Sequence, residues 1–164
     1  MTTLQYSSRR QKSDISSHLT RKLIVPNNNL CKGCGLCELA CSLIHEGICS
    51  PSLSRIHVLK DHERYKFRIS VCLQCSTPNC MEACPQESIK FKDGVVIIVE
   101  ETCNGCGLCA EACPLNSNRQ IIFYHPSRRV YVKCDLCSSR EEAICVSVCP
   151  SGALTLKEIK AAEE

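Results

Sequence analysis

The chain has no tryptophan, only three Phe and four Tyr among 164 residues, and no apolar run longer than Val95 to Val99. A hydrophobic core of this size ordinarily leans on large aromatics, so something else must fill much of the interior. The longest apolar run is strand length, far short of the roughly 18 residues that suggest a membrane-spanning helix. No nucleophile–base constellation and no Gly-rich phosphate loop stand out. Lys and Arg are scattered, with no run longer than Arg9-Arg10 or Arg128-Arg129. These absences exclude a membrane span and give no support to a substrate-transforming site or a nucleic-acid-binding face.

What the chain has in excess is cysteine, at 17 residues. Sixteen of them fall into four groups of four. They read Cys31-x2-Cys34-x2-Cys37-x3-Cys41 and Cys72-x2-Cys75-x4-Cys80-x3-Cys84-Pro85, then Cys103-x2-Cys106-x2-Cys109-x3-Cys113-Pro114 and Cys134-x2-Cys137-x7-Cys145-x3-Cys149-Pro150. The first and third match the bacterial iron–sulfur run directly, and the other two are that run with a longer second gap. A compact loop of this kind delivers three soft thiolates to one cluster, while the fourth cysteine ligates its neighbour. The groups must therefore work in pairs. With clusters filling the interior, the iron-free chain is expected to fold poorly.

Two other uses of cysteine compete. Disulfides need an oxidising compartment and usually a secretory signal. Ser8-Arg9-Arg10-Gln11-Lys12 resembles a twin-arginine signal, but Ser13, Asp14, Ser16, Ser17 and His18 follow where an apolar stretch is required. A cytoplasmic location is expected. Zinc is the better rival and defines an alternative of a different class, a zinc-binding interaction module. Zinc motifs pair two C-x2-C units across a longer loop, however, without a fourth cysteine three residues on and a proline after it. The formal charge of +3 also omits the clusters. Each oxidised 4Fe–4S unit with its thiolates carries about −2, which brings a four-cluster protein to about −5. The basic sequence is therefore no argument for nucleic-acid binding.

The groups start at 31, 72, 103 and 134, which is an internal repeat. Each unit reads as a cysteine loop with a short helical turn carrying its third and fourth cysteines, followed by a strand or hairpin. Residues 89–97 form a hairpin with Asp93-Gly94 at the turn. Residues 121–124 and 130–132 pair around Pro126-Ser127-Arg128, and 55–58 pair with 67–69. Leu23-Ile24-Val25 is a first strand and residues 153–156 a last one. Residues 1–21 read as a polar arm, 22–157 as the cluster-bearing domain with an inner module at 72–113, and 158–164 as the charged end of a helical tail.

On these four groups, and on Lys133-Cys134-Asp135-Leu136-Cys137 opening the last, the chain resembles the four-cluster ferredoxin subunits of multi-subunit oxidoreductases. The resemblance implies an α+β fold of two interleaved bacterial ferredoxin-like modules, with short helices and small antiparallel β-hairpins. It implies four 4Fe–4S clusters, the outer groups pairing with each other and the inner ones likewise. Cluster 1 takes Cys31, Cys34, Cys37 and Cys149. Cluster 2 takes Cys72, Cys75, Cys80 and Cys113. Cluster 3 takes Cys103, Cys106, Cys109 and Cys84. Cluster 4 takes Cys134, Cys137, Cys145 and Cys41. No ligand position is replaced, so a 3Fe–4S centre is not expected. Cys41 is followed by Ser42 rather than Pro, which loosens the chain exit there, and the long gap before Cys145 enlarges the fourth loop.

Function follows from the same resemblance: electron transfer with no bond-making chemistry of its own, relaying electrons between a catalytic subunit and another carrier, a ferredoxin or a flavin subunit. The stretch from Cys37 to Gly47, with Ser52-Leu53-Ser54-Arg55-Ile56 after it, is similar to the small subunit of tungstopterin aldehyde oxidoreductases and of benzoyl-CoA reductase-type enzymes. A tungsten or molybdenum pterin partner is therefore expected. The alternatives are a hydrogenase, formate dehydrogenase or carbon monoxide dehydrogenase partner, or a free polyferredoxin. Self-association would extend the wire. Cys49 belongs to no group and reads as a structural thiol. His45 reads as a surface or packed histidine, with cluster tuning the sharper alternative. Lys32 and Lys133 read as solvated lysines beside ligands. Gly33, Gly35, Gly105 and Gly107 let backbone approach the clusters.

Overall fold

The computed structural model describes residues 20–118 and 120–160, so most of the polar arm and the last four residues lie outside the described residues. In chain order the elements are β1 (Arg21–Pro26), α1 (Leu36–Glu46), β2 (Ile56–Asp61), β3 (Lys66–Val71), α2 (Asn79–Glu82), β4 (Ile89–Lys92), β5 (Val95–Ile98), α3 (Leu108–Ala112), β6 (Ile122–His125), β7 (Val130–Lys133), α4 (Ile144–Ser147) and β8 (Leu154–Ile159). The class is α+β. Four antiparallel strand pairs form among the described residues: β1 with β8, β2 with β3, β4 with β5, and β6 with β7.

The three local pairs are hairpins between cysteine groups. Asp93 and Gly94 both take positive φ and close β4 onto β5, as the Asp-Gly turn requires. The fourth pair is long-range. Arg21 stands opposite Ile159 and Pro26 opposite Leu154, so the two ends of the described chain zip together. The last strand runs on through Lys157, Glu158 and Ile159. The helical tail expected there is therefore corrected at its start. Its charged residues lie on a strand exposed along most of its length, and Lys22 pairs with Glu158 across it at 3.4 Å. Arg21 likewise belongs to β1 rather than to the arm.

The helices pack in two pairs, α1 on α4 and α2 on α3. Only α1 is long. Cys37 and Cys41 both lie on it. In α2, α3 and α4 the third cysteine is helical and the fourth falls just past the end, before its proline. Proline stops those helices, since it has no N–H to donate and clashes with the preceding turn. Where Ser42 replaces it, the helix does not loosen, contrary to the expectation. It continues to Glu46 and ends at Gly47, whose left-handed backbone N–H bonds Leu43 O at 3.0 Å. Ser42 is fully buried, and its hydroxyl donates to Leu39 O and accepts from Ser50 N.

Small aliphatic side chains fill the space between hairpins and cysteine loops. Ile24, Ile56, Val96 and Ile122 are each at most 1% exposed. Each such burial stabilises by about 1.5–3 kcal/mol. Seven or more cysteines share this core, including Cys37, Cys41, Cys72 and Cys109. This is how a chain without tryptophan assembles an interior.

Candidate metal centres

The packing of α2 on α3 brings cysteines from the two inner groups together. Cys72, Cys75 and Cys80 line one cavity with Cys113, the last cysteine of the following group. Cys103, Cys106 and Cys109 line a second cavity with Cys84. Each cavity holds three cysteines of one group and the fourth of the other. In the outer groups, Cys41 lies within charge-coupling range of both Cys137 and Cys145, as α1 packs on α4. Cys134 is coupled to Cys145, and Cys31 and Cys34 to Cys37. Cys149 lies past α4, where its sulfur is 3.7 Å from Ser151 Oγ. Cys49 is exposed.

Burial pushes eight of these thiols upward. Cys37 and Cys109 are raised to about 12 and Cys80 to about 11, with neighbouring cysteines adding to the effect. Cys134, Cys145, Cys41, Cys113 and Cys137 are raised as well, burial being the largest cause in each. Cys149 is shifted the other way. Burial opposes its ionisation, but the Ser151 hydroxyl and the amides of Ala153, Ser151 and Leu154 lower it. Neutral thiols packed this closely become ligands only when a cation displaces their protons. Backbone amides already point at the sulfurs: Arg55 N is 3.3 Å from Cys41 Sγ, and Ser88 N is 3.3 Å from Cys84 Sγ. Such bonds stabilise negative charge on a ligated sulfur.

Among the described residues no three His, Cys, Asp or Glu side chains converge closely enough to hold a single metal ion. A 4Fe–4S cube takes one thiolate on each of its irons, so its ligands stand apart around a central space. The two cysteine-lined cavities each present four thiols, enough for one such set of ligands.

Glycines at the first and third loops admit the hairpins that cover them. A Cβ on Gly33 would lie 2.5 Å from the Phe67 ring of β3, and one on Gly105 would lie 2.6 Å from the Arg129 carbonyl. The glycines therefore serve close approach of a hairpin, besides the loop turns expected of them.

Three surrounding features go beyond the sequence reading. Lys133 is not solvated: it is 2% exposed, 3.5 Å from Cys72 Sγ and 3.1 Å from Cys134 O. Lys32 is exposed, as expected. Gln74 is fully buried and joins Cys134 O to Val96 N through its amide. Arg55 is buried against Asp135 at 3.0 Å and Glu100 at 3.3 Å. His45 packs inside this network, 3.4 Å from Asp135 Oδ1 and 3.9 Å from Cys137 Sγ. Burial first, then Arg55, holds His45 below its usual value. Of these, Lys133 sits at a position the cysteine motif marks and Arg55 within the stretch that carries the resemblance; Gln74 carries no sequence signal of its own.

Known families bear on these sites directly. The 4Fe-4S dicluster domain matches residues 64–159, more than half of the chain, and a 4Fe-4S binding domain matches residues 28–43. The chain belongs to the 4Fe-4S dicluster domain family. It is an iron–sulfur electron-transfer protein, and the clusters supply one-electron redox chemistry when bound. It is similar to the polyferredoxin-like subunit of an aliphatic sulfonate oxidoreductase from Pyrococcus furiosus, with 39% identity over 77% of this chain and 69% of the relative. It is similar to the electron transport protein HydN of Escherichia coli K12, with 30% identity over 81% of this chain and 86% of that protein. Among solved structures it resembles a chain of the active site complex BamBC of benzoyl coenzyme A reductase. The TM-score there is 0.54 at 26% identity, covering 87% of this chain and 83% of that one.

Proposed function

We propose that this chain holds four 4Fe–4S clusters in crossed pairs and relays single electrons to or from a catalytic subunit. Cluster 2 takes Cys72, Cys75, Cys80 and Cys113, and cluster 3 takes Cys103, Cys106, Cys109 and Cys84. Cluster 4 takes Cys134, Cys137, Cys145 and Cys41, and cluster 1 takes Cys31, Cys34, Cys37 and Cys149. The observation that carries this reading is the pair of cavities in which Cys113 and Cys84 have exchanged groups. The mutual charge coupling of Cys41, Cys137 and Cys145 supports the same exchange in the outer pair.

The catalytic subunit in this reading is a tungstopterin oxidoreductase of the aldehyde oxidoreductase type. Two likenesses support it: to a polyferredoxin-like subunit of an oxidoreductase, and to a chain of a benzoyl coenzyme A reductase complex. A formate dehydrogenase partner has weaker support, since the similar iron–sulfur subunit of formate dehydrogenase-O is covered over only 49% of its length. A free carrier is the second reading, favoured by the match to most of HydN. Purification of the native complex under anaerobic conditions, with its mass and its tungsten, molybdenum and nickel content, tests the choice. Tungsten at one atom per catalytic chain is the expected result. Nickel without tungsten overturns the partner, and elution as a metal-rich monomer overturns the subunit role.

A further inference from the structure

A lysine buried without a carboxylate is costly unless something anionic compensates it. Among the described residues Lys133 is the largest fully buried side chain. Its Nζ donates to the carbonyls of Val96 and Cys134 and lies 3.4 Å from Gln74 Oε1 and 3.5 Å from Cys72 Sγ. Among the described residues no Asp or Glu is bonded to it. The contacts belong to two different sites: Cys72 to the second cluster, and Cys134 to the fourth. Those two cysteines lie within charge-coupling range of each other, so the inner and outer pairs meet here. Lys133 also lines the cavity of the second site.

We propose that Lys133 is a tuning residue shared by the second and fourth cluster sites, its one buried ammonium raising the reduction potential of both and thereby setting the electron's crossing between the inner and outer pairs. The proposal rests on the ligand assignment above. The compensating charge for the ammonium is the net negative charge of the ligated sites on either side. An electron added to either site makes it one unit more negative, and a fixed positive charge nearby favours that state. The electron that leaves one site is the electron the other gains; Lys133 exchanges neither an electron nor a proton. Gln74 positions it, accepting from Lys133 Nζ and Val96 N and donating to Cys134 O at 2.9 Å.

The bland alternative makes Lys133 a peg, whose hydrogen bonds to two carbonyls matter and whose charge does not. The test uses the full chain with its clusters, purified anaerobically. Iron is counted, and each cluster is titrated potentiometrically with electron paramagnetic resonance as the readout. Clusters 2 and 4 are identified as the signals lost in Cys75→Ala and Cys137→Ala. In Lys133→Gln, which keeps a hydrogen-bond donor and removes the charge, the reduced-to-oxidised ratio of those two clusters at a fixed potential should fall tenfold or more. That corresponds to about 59 mV for a one-electron couple. Lys133→Arg should stay within twofold of the parent. Gln74→Glu, which sets a carboxylate against the ammonium at nearly constant size, should move the same two clusters in the same direction. Full iron with unchanged potentials in Lys133→Gln overturns the proposal, as do shifts confined to the other two clusters. If Lys133→Gln loses iron, Gln74→Glu decides, and unchanged potentials there overturn it. A parent protein without four clusters refutes the ligand assignment instead, so the two failures are separable.

Discussion

Replacing Cys113 by Ala tests the crossed ligation at the point where the structure is most explicit. Cys113 follows α3, whose own group lines the cavity with Cys103, Cys106 and Cys109, yet it faces Cys72, Cys75 and Cys80. Its thiol feels the charges of Cys72 and Cys75, after burial and the Leu115 amide. The variant should leave cluster 2 with three protein ligands. Anaerobically purified protein should then fall from about 16 iron atoms per chain to about 15, if one iron leaves, or about 12, if the whole cluster does. Counting alone does not identify the cluster, so the paramagnetic spectrum of the reduced protein must be compared with two references. Cys75→Ala removes a ligand from the same proposed site and Cys106→Ala from the other. The signal missing in Cys113→Ala should be the one missing in Cys75→Ala. Cys84→Ala should match Cys106→Ala, and in the outer pair Cys149→Ala should match Cys34→Ala. If Cys113→Ala instead erases the signal that Cys106→Ala erases, each group holds its own cluster and the crossed assignment fails.

Removing iron from the intact protein with a chelator should abolish cooperative thermal unfolding, because much of the interior is cysteine. A calorimetric transition of unchanged sharpness in the iron-free chain would contradict this. Gly105 and Gly47 have nearly the same backbone, at φ 71 and 72. An Ala at either costs about 1–2 kcal/mol for that conformation. At Gly105 the new Cβ also meets the Arg129 carbonyl at 2.6 Å, whereas nothing lies within 4 Å of one at Gly47. Overpacking adds about 1–3 kcal/mol, so Gly105→Ala should lower the anaerobic unfolding midpoint clearly more than Gly47→Ala, and equal losses would refute the close-approach argument. Glu38 is buried, and although burial opposes its ionisation, His57 and the Val58 amide at 3.1 Å hold its carboxyl below 4.5. A depressed carboxyl contributes stability that is present above the unfolded value and lost as pH falls through the folded one. Glu38→Gln should therefore cost about 1–3 kcal/mol at pH 7, with the gap to the parent closing below pH 4.5. A gap independent of pH, measured by thermal unfolding, would remove the charge from the explanation.

The hairpins and the cysteine loops were legible because their chemistry is local. Asp93-Gly94 demands a tight turn, and C-x2-C-x2-C demands a loop around metal. What was not legible depends on partners distant in sequence. Lys157 and Glu158 are polar enough to pass for a tail until β1 supplies a strand more than 130 residues earlier. Lys133 ends a strand whose alternation would turn it outward with Tyr131, and only the second cysteine loop and β5 together explain why it turns in. The missing proline after Cys41 was visible, but its consequence was misread. A helix with no stop signal lengthens when its next residues can be buried or capped, and Ser42 and Gly47 provide both.

The left-handed residue inside each cysteine loop shows how one repeated backbone serves two purposes. The second position after the first cysteine has positive φ in all four groups, at Gly33, Gln74, Gly105 and Leu136. In the first and third groups it is glycine, and a hairpin lies against the vacated Cβ position. In the second and fourth it carries a full side chain, at a conformational cost of about 1–2 kcal/mol each. Both of those side chains are buried. Gln74 makes hydrogen bonds to Cys134 O and Val96 N, each contributing about 1 kcal/mol, which offsets its strain. Groups two and four are also the ones whose leading cysteines, Cys72 and Cys134, feel each other's charge. The strained side chains therefore lie in the groups that meet where the inner and outer pairs join. Substituting glycine at Gln74 would relieve the backbone while dissolving the contacts that hold Lys133 between the two sites. The strain is retained because the junction depends on the side chain that incurs it.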